Sequence, residues 1–239
     1  MVLGDRYVYR QVLVTAEVEG LGKVDVTHLA KVEGSTELVK VSNGRKVSGL
    51  KDGQGKLVFS LGGQSAELPV KVSGLEAPYK VSFVQDVMPL LARLGCNSGV
   101  CHGSQKGKNG FKLSLRGYDP LWDHVALTDD LEGRRFNRAA PDKSLFLMKI
   151  TGIVPHVGAV RTEADSPYYS LLKSWVGAGV ALDLDAPRVV NLEVFPKEVT
   201  LALPGMRQQM AAKSGRAHVC TPVPLQTRIP SSARKKRSE

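Results

Sequence analysis

The sequence has no long apolar run, and it has few cysteines. No stretch of about 18 consecutive apolar residues occurs among its 239 residues, which excludes a membrane-spanning helix in this sequence. The first seven residues, Met-Val-Leu-Gly-Asp-Arg-Tyr, have neither the basic start nor the apolar middle of a secretory signal. There are three cysteines, and two of them, Cys96 and Cys101, lie in one short segment. Cysteine chemistry is therefore concentrated in that segment.

The net charge of +10 is unevenly distributed along the chain. From Lys213 to the C-terminus, seven basic residues face a single acidic residue, Glu239, so this tail carries +6. The remaining 212 residues carry about +4, which is ordinary for a chain of this length. The charge pattern therefore predicts no nucleic-acid partner.

Residues 1–76 consist of short alternating or β-branched segments separated by glycine-containing turns. This pattern predicts an all-β sandwich of antiparallel strands. The predicted strands are 12–18, 23–27, 37–42, 56–61 and 66–72. The segments Arg10-Gln-Val-Leu-Val-Thr-Ala, Val24-Asp-Val-Thr and Leu68-Pro-Val-Lys-Val-Ser-Gly resemble, in their order, the bacterial immunoglobulin-like (group 2) domains of exported proteins. We expect the first strand of such a domain to be missing, because the sheet begins almost at Met1.

The segment Leu94-Gly-Cys-Asn-Ser-Gly-Val-Cys-His-Gly-Ser contains two cysteines, the second followed at once by a histidine. This arrangement is typical of a covalent haem c site. The thiols of Cys96 and Cys101 would add to the two porphyrin vinyl groups, and Nε2 of His102 would bind the iron as the proximal axial ligand. The usual spacing has two residues between the cysteines, whereas here there are four. Because the vinyl groups are a fixed distance apart, we expect the extra residues to loop outward, with Gly99 supplying the backbone freedom.

One amphipathic helix is predicted on each side of this motif. Apolar residues recur at three- and four-residue steps over 83–94, with Ser82 as N-cap and Pro89 as a kink or break. A second helix is predicted to begin after Ser166. Residues 77–185 are therefore predicted to form a mainly α, cytochrome c-like domain whose helices close an apolar pocket around a haem.

Four blocks of this domain, in order, resemble the planctomycete-type cytochrome c domain. They are Gly95-Cys-Asn-Ser-Gly-Val-Cys-His-Gly, Gly110-Phe-Lys-Leu-Ser-Leu-Arg-Gly-Tyr-Asp-Pro, Pro141-Asp-Lys-Ser-Leu-Phe-Leu-Met-Lys-Ile-Thr-Gly with Val154-Pro-His, and Tyr169-Ser-Leu-Leu-Lys-Ser-Trp-Val-Gly-Ala-Gly. Relatives carry this domain in large exported proteins beside immunoglobulin-like domains. The resemblance implies a covalent haem on Cys96 and Cys101 with His102 as proximal ligand. Residues 157–160 depart from the glycine-rich run of relatives, so the distal loop is expected to differ.

The distal iron ligand has two candidates. His156 follows Pro155 upstream of the final helix, and its imidazole is a good iron ligand. Met148 offers a thioether, but it lies in an apolar run where methionine usually packs. We expect His156 to be the ligand, with Met148 as the weaker candidate and an open position as the third possibility. Methionine would give a higher reduction potential than a second histidine.

Other interpretations of these side chains stay open. Without haem, Cys96 and Cys101 can form a disulfide across a small loop. A zinc site would need two further ligands, and no second cysteine pair accompanies the first. His124 and His28 are expected to be ordinary surface or partly buried residues.

Beyond residue 185 the chain returns to extended segments. Residues 186–212 are predicted to be the opening strands of a second immunoglobulin-like domain, because Arg207-Gln-Gln-Met-Ala-Ala echoes Arg10-Gln-Val-Leu-Val-Thr-Ala. The sequence from Gly215-Arg-Ala-His-Val-Cys-Thr-Pro-Val onward resembles a translated sequencing adapter, so 213–239 is predicted to be a non-native tail. A disordered basic tail or nuclear signal is the alternative. We therefore expect the chain to be a fragment of a larger protein.

The main functional hypothesis is one-electron transfer by a covalent haem c in an exported multidomain bacterial protein of the periplasm or cell surface. Its signal peptide is then presumed lost by truncation. Its partner would be a redox protein or a neighbouring domain of the parent chain. The alternative is a surface binding or scaffolding protein whose immunoglobulin-like domains bind polysaccharide or protein. A haem enzyme such as a peroxidase would need an open iron position, so electron transfer is favoured over catalysis.

Overall fold

The computed structural model describes residues 1–214 and 226–229, and the fold is mixed, with 20% helix and 24% strand. The chain forms two compact units. One consists of Met1–Tyr79 with the described residues from Val189 onward, and the other of Lys80–Arg188. The predicted tail 213–239 lies outside the described residues except for 213–214 and 226–229. Within the described part, no helix combines the length and apolarity needed to cross a membrane.

The first unit is built from β-strands. In chain order they are β1 (Val2–Leu3), β2 (Tyr9–Gln11), β3 (Thr15–Val18), β4 (Gly22–Asp25), β5 (Lys31–Gly34), β6 (Val39–Val41), β7 (Lys46–Gly49), β8 (Gly53–Leu61), β9 (Gln64–Val72), β10 (Leu192–Phe195), β11 (Ala211–Ser214) and β12 (Gln226–Ile229). The sheets have the orders β1-β9-β8-β5, β2-β7-β6 and β12-β3-β4, and β10 pairs with β11. Neighbouring strands are antiparallel except for β1 with β9 and β12 with β3.

The longest hairpin, β8–β9, shows how the sequence directs these strands. Its two-residue turn, Gly62-Gly63, has positive φ at both positions, which is the backbone that such a tight hairpin requires. Alternate residues of both strands are buried, including Leu57, Leu68 and Val70, and they join one apolar cluster with residues of the other sheets. All five predicted strands overlap observed ones, and the sequence analysis missed the short β1, β2, β5 and β7.

The second unit contains four α-helices. They are α1 (Met88–Arg93), α2 (Pro120–Thr128), α3 (Leu145–Ile150) and α4 (Pro167–Gly177). A π-helical turn, Phe83–Val87, leads into α1, so the predicted helix over 83–94 is divided before Pro89. The predicted cap at Ser82 is confirmed, because Ser82 Oγ accepts from Gln85 N at 2.9 Å. At the start of α4, Ser166 Oγ likewise accepts from Tyr169 N at 3.1 Å.

An aromatic cluster around Trp175 forms the core of this unit. The Trp175 side chain is fully buried, and its Nε1 donates to the Ala181 carbonyl at 3.0 Å. Phe83 stacks on the indole with ring centroids 5.3 Å apart, and Phe136 meets it edge to face at 5.4 Å. Phe83 comes from the π-helical turn before α1, Phe136 from the loop that follows α2, and Trp175 from α4. Their packing therefore joins the first and the last helical segments of the unit.

Candidate functional site

The segment from Cys96 to His102 is a compact loop that follows α1. Cys96 N donates to the Leu91 carbonyl at 2.9 Å, which continues the helix into the loop. His102 N donates to the Cys96 carbonyl at 3.0 Å, and Cys101 N donates to the Ser98 carbonyl at the same distance. These hydrogen bonds close the loop on itself, so both cysteines and the histidine are presented from one short stretch despite the four intervening residues.

The intervening residues only partly follow the expected outward loop. Gly99 and Val100 are exposed, but Asn97 is 1% exposed and its carbonyl accepts from Arg116 N at 3.0 Å. A Cβ on Gly99 would meet only ordinary contacts, whereas a Cβ on Gly103 would collide with the Asn97 backbone. The loop therefore depends on glycine at Gly103 rather than at Gly99.

The His102 ring is held in one orientation by a backbone carbonyl. Its Nδ1 lies 2.9 Å from the Phe111 carbonyl oxygen, and because a carbonyl only accepts, Nδ1 carries the proton. Leu113 N donates to the His102 carbonyl at 2.7 Å, so the 111–113 segment holds both the ring and the backbone of this residue. Nε2 is then the unprotonated nitrogen, which is the state that a metal ligand needs.

A buried carboxylate anchors the same segment one residue further on. Asp123 of α2 is fully buried, and it accepts hydrogen bonds from the backbone N of Ser114 and from its Oγ, the latter at 2.7 Å. Burial raises the pKa of Asp123, and the two hydrogen bonds from Ser114 oppose that rise. The segment that orients His102 is thus tied to α2 through Ser114.

Both thiols and the His102 ring line a cavity of about 480 Å³, a volume typical of small-molecule and cofactor sites. Its apolar wall comes from α1, the 111–113 segment, α2 and α3, and includes Leu91, Leu113, Leu127, Phe146 and Ile150. Val100 and Val157 also line it, and they are 84% and 81% exposed. Large apolar side chains so exposed within a cavity are surfaces that an apolar occupant would cover.

The structure separates the two candidate distal residues. His156 lines the cavity together with Cys96, Cys101 and His102, whereas Met148 is half-buried and is not among the lining residues. The Nδ1 of His156 lies 3.1 Å from the Ala159 carbonyl, so Nδ1 carries a proton, and Nε2 is the free nitrogen of the neutral ring. The two imidazoles on the cavity therefore present the same kind of nitrogen.

The other two described histidines are engaged elsewhere. His124 Nε2 lies 2.7 Å from the Val180 carbonyl, so this nitrogen carries a proton. The ring also packs edge to face on Phe83 and Trp175. His28 belongs to the β unit, with Nε2 3.2 Å from Gln209 Oε1. Neither lines the cavity.

Burial sets the protonation states at the cavity. It raises the pKa of the Cys96 thiol to about 11, with Arg161 opposing the rise and Cys101 adding to it. Burial also lowers the pKa of His102, although the hydrogen bond to Phe111 opposes this. At neutral pH the chain therefore presents a protonated Cys96 thiol and a neutral imidazole, and both cysteines are free thiols.

Three arginines that were not predicted from the sequence line the cavity, and two of them, Arg135 and Arg161, contact other lining residues. Arg161 Nη2 lies 4.0 Å from Cys101 Sγ, and the Arg135 guanidinium lies 4.1 Å from the centre of the Phe111 ring. Neither residue lies in a periodic pattern or beside the cysteine motif in sequence. Only the folded chain brings them to the cavity, so no sequence signal marked them.

The donor set fits a haem better than a bare metal ion. In the described residues, no group of three or more His, Cys, Asp or Glu side chains is arranged to hold a metal ion. A haem iron needs only one or two protein ligands, because the porphyrin supplies the rest. Two thiols, two imidazoles with free Nε2 and an apolar cavity match that requirement.

Comparisons of the chain with protein-family models, with curated proteins and with solved structures found no match.

Proposed function

We propose that this chain binds a haem c covalently and transfers single electrons. The observation that carries the proposal is the convergence of Cys96, Cys101, His102 and His156 on one apolar cavity of about 480 Å³. Each residue has a distinct role in it. The two thiols would attach the porphyrin, and His102 and His156 would be the ligands of its iron.

The chemistry of attachment is a simple addition. Each thiol S–H adds across one vinyl C=C, forming a C–S bond and a C–H bond with no leaving group. Bound haem iron supplies a one-electron couple between its ferric and ferrous states. The chain's own contribution is to hold the imidazoles in the correct tautomer, through the Phe111 and Ala159 carbonyls, and to surround the ring with apolar side chains.

His156 is supported as distal ligand over Met148 by its position on the cavity and by its free Nε2. Two axial imidazoles leave the iron no open position for a substrate. Electron transfer is therefore the proposed function, and a peroxidase-type reaction is not.

The finer architecture belongs to the same proposal. Residues 1–76 are proposed to be an immunoglobulin-like sandwich, residues 77–185 a cytochrome c-like domain, and residues 186–212 the opening strands of a second sandwich. Haem c is attached outside the cytoplasm, so the proposed location is the periplasm or cell surface. The proposed partner is a redox protein or a neighbouring domain of a longer chain.

Haem attachment is tested by expressing the chain with a c-type maturation system and staining a denaturing gel for haem. The wild type should retain haem after denaturation, and the Cys96→Ser/Cys101→Ser variant should not. Cys220→Ser is the matched control, because it removes the cysteine outside the motif, and it should stain like the wild type. A wild type without covalent haem, or equal staining of the double variant, would refute the proposal.

The distal ligand is tested by the optical spectrum of the loaded protein. The wild type and Met148→Leu should both give six-coordinate low-spin spectra in both oxidation states. His156→Ala should instead become high-spin or bind added imidazole. Loss of the low-spin spectrum in Met148→Leu alone would reassign the ligand to methionine.

A further inference from the structure

The cavity has a one-sided charge pattern. Among the described residues that line it, five side chains are cationic and none is acidic: Lys108, Arg134, Arg135, Lys149 and Arg161. An apolar cavity with only positive charge at its walls favours an occupant that is largely apolar and carries negatively charged groups. A haem has this composition, because its apolar ring carries two propionate carboxylates.

Arg135 is the most buried of these cations. It is 9% exposed, and its guanidinium stacks over the Phe111 ring at 4.1 Å. Its Nη1 donates to the Asp130 carbonyl at 2.9 Å. Its backbone is fixed by the bond from Phe146 N to the Arg135 carbonyl, at 3.0 Å. The side chain is therefore held in place before any ligand arrives.

The charge of Arg135 is not balanced within the described part of the chain. None of the ion pairs there includes Arg135. Burial lowers the pKa of Arg135, and the nearby Asp130 carboxylate only partly opposes this. A guanidinium has five N–H donors, and its fork geometry matches a carboxylate. A buried arginine on a cavity without an acidic partner is suited to bind an anionic group of the occupant.

Resting on the proposed function, we propose that Arg135 binds a haem propionate through charge-assisted hydrogen bonds. Phe111 connects this contact to the proximal side. Its ring lies beneath the guanidinium and 4.5 Å from the His102 ring, while its carbonyl fixes His102 Nδ1. Arg135 thus holds the edge of the haem next to the residue that orients its iron ligand.

The test measures the midpoint potential of the covalently loaded protein at pH 7. Arg135→Met removes the charge but keeps an unbranched side chain that packs on Phe111. Loss of a cation beside a propionate favours the ferric state. In Arg135→Met we expect the ferric-to-ferrous ratio at a fixed potential to rise about tenfold. For a one-electron couple this corresponds to a fall of the midpoint potential by about 59 mV. Arg135→Lys keeps the charge and should stay within threefold of the wild type.

Arg138→Met is the matched control, because Arg138 is exposed and does not line this cavity. It should change the ratio less than twofold. A loaded Arg135→Met protein that also stays within twofold of the wild type would overturn the propionate assignment while leaving haem attachment intact. Absence of covalent haem from the wild type would refute both proposals.

A second measurement does not depend on the folding of a variant. The haem-free wild-type chain is titrated with haem and with haem dimethyl ester, in which both propionates are neutral. At low salt we expect haem to bind at least tenfold more tightly than the ester. Equal affinity for the two would overturn the proposal.

Discussion

The hydrogen bonds between the buried residues Asp123 and Ser114 allow a quantitative test of how the His102 side of the cavity is held in place. In Asp123→Ala, two buried donors of Ser114 lose their acceptor. Each buried donor left unsatisfied costs about 1–3 kcal/mol. We therefore expect the free energy of unfolding of the helical unit to fall by about 2–6 kcal/mol. Asp123→Asn keeps one acceptor oxygen and should lose about 1 kcal/mol.

Urea unfolding followed by tryptophan fluorescence isolates this unit, because both tryptophans of the chain, Trp122 and Trp175, lie in it. Asp165→Asn is the control, since Asp165 is exposed, and it should change the stability by less than about 0.5 kcal/mol. An Asp123→Ala midpoint equal to that of the wild type, with an unchanged denaturant slope, would refute the role given to this carboxylate.

The same residue predicts a pH dependence of known sign. Burial raises the pKa of Asp123 above its ordinary value of 3.8, so the folded chain binds this proton more tightly than the unfolded chain. The corresponding stability is present below pH 3.8 and is lost as pH rises through the raised value. The stability of the wild type relative to Asp123→Asn should therefore increase as pH falls from 7 towards 4. A constant or shrinking difference would contradict the stated cause.

Three further changes test other parts of the site. Gly103→Ala should destabilise the helical unit by about 2–3 kcal/mol in urea unfolding and reduce haem loading, because the new Cβ would collide with the Asn97 backbone. The control Gly99→Ala should leave the stability and the haem loading unchanged. In a haem-free chain whose other two cysteines are replaced by serine, folded Cys96 should react with iodoacetamide at pH 8 about 100-fold more slowly than the same chain unfolded in urea. The reason is that a thiol pKa of about 11 leaves about 0.1% of Cys96 as thiolate at this pH. Equal rates in the two states would exclude that pKa. Tyr169→Phe removes a 2.7 Å hydrogen bond to the exposed Asp142 carboxylate and should lower the urea midpoint; an unchanged midpoint would mean that this bond contributes nothing.

The local signals in the sequence were sufficient for features that depend on neighbouring residues. The cap at Ser82 was predicted because a hydroxyl before an apolar helical pattern can bond the free N–H groups of the first turn. The strands 56–61 and 66–72 were predicted because alternating or β-branched residues mark each of them within one continuous stretch. In each case the partners lie within a few residues of each other.

Features that depend on distant residues were not predictable in this way. Arg135 and Arg161 reach the cavity only after the helices have packed, and no spacing rule relates them to the cysteines. The role expected for Gly99 was wrong because the loop is tightest where it returns past Asn97, at Gly103. Short strands such as β5 and β7 were missed because their residues show little alternation and find their partners elsewhere in the sheet.

The His102 and His156 sides of the cavity differ in how they are held in place, because His102 is bonded to residues of the core and His156 to residues of its own loop. The His102 side is bonded through 111–113 to Ser114 and from there to the buried Asp123 of α2. His156 instead forms hydrogen bonds with Ala159 of its own loop, where most neighbouring residues are exposed. Substitutions in the His156 loop are therefore expected to disturb fewer core contacts than substitutions in the 111–114 segment that holds His102.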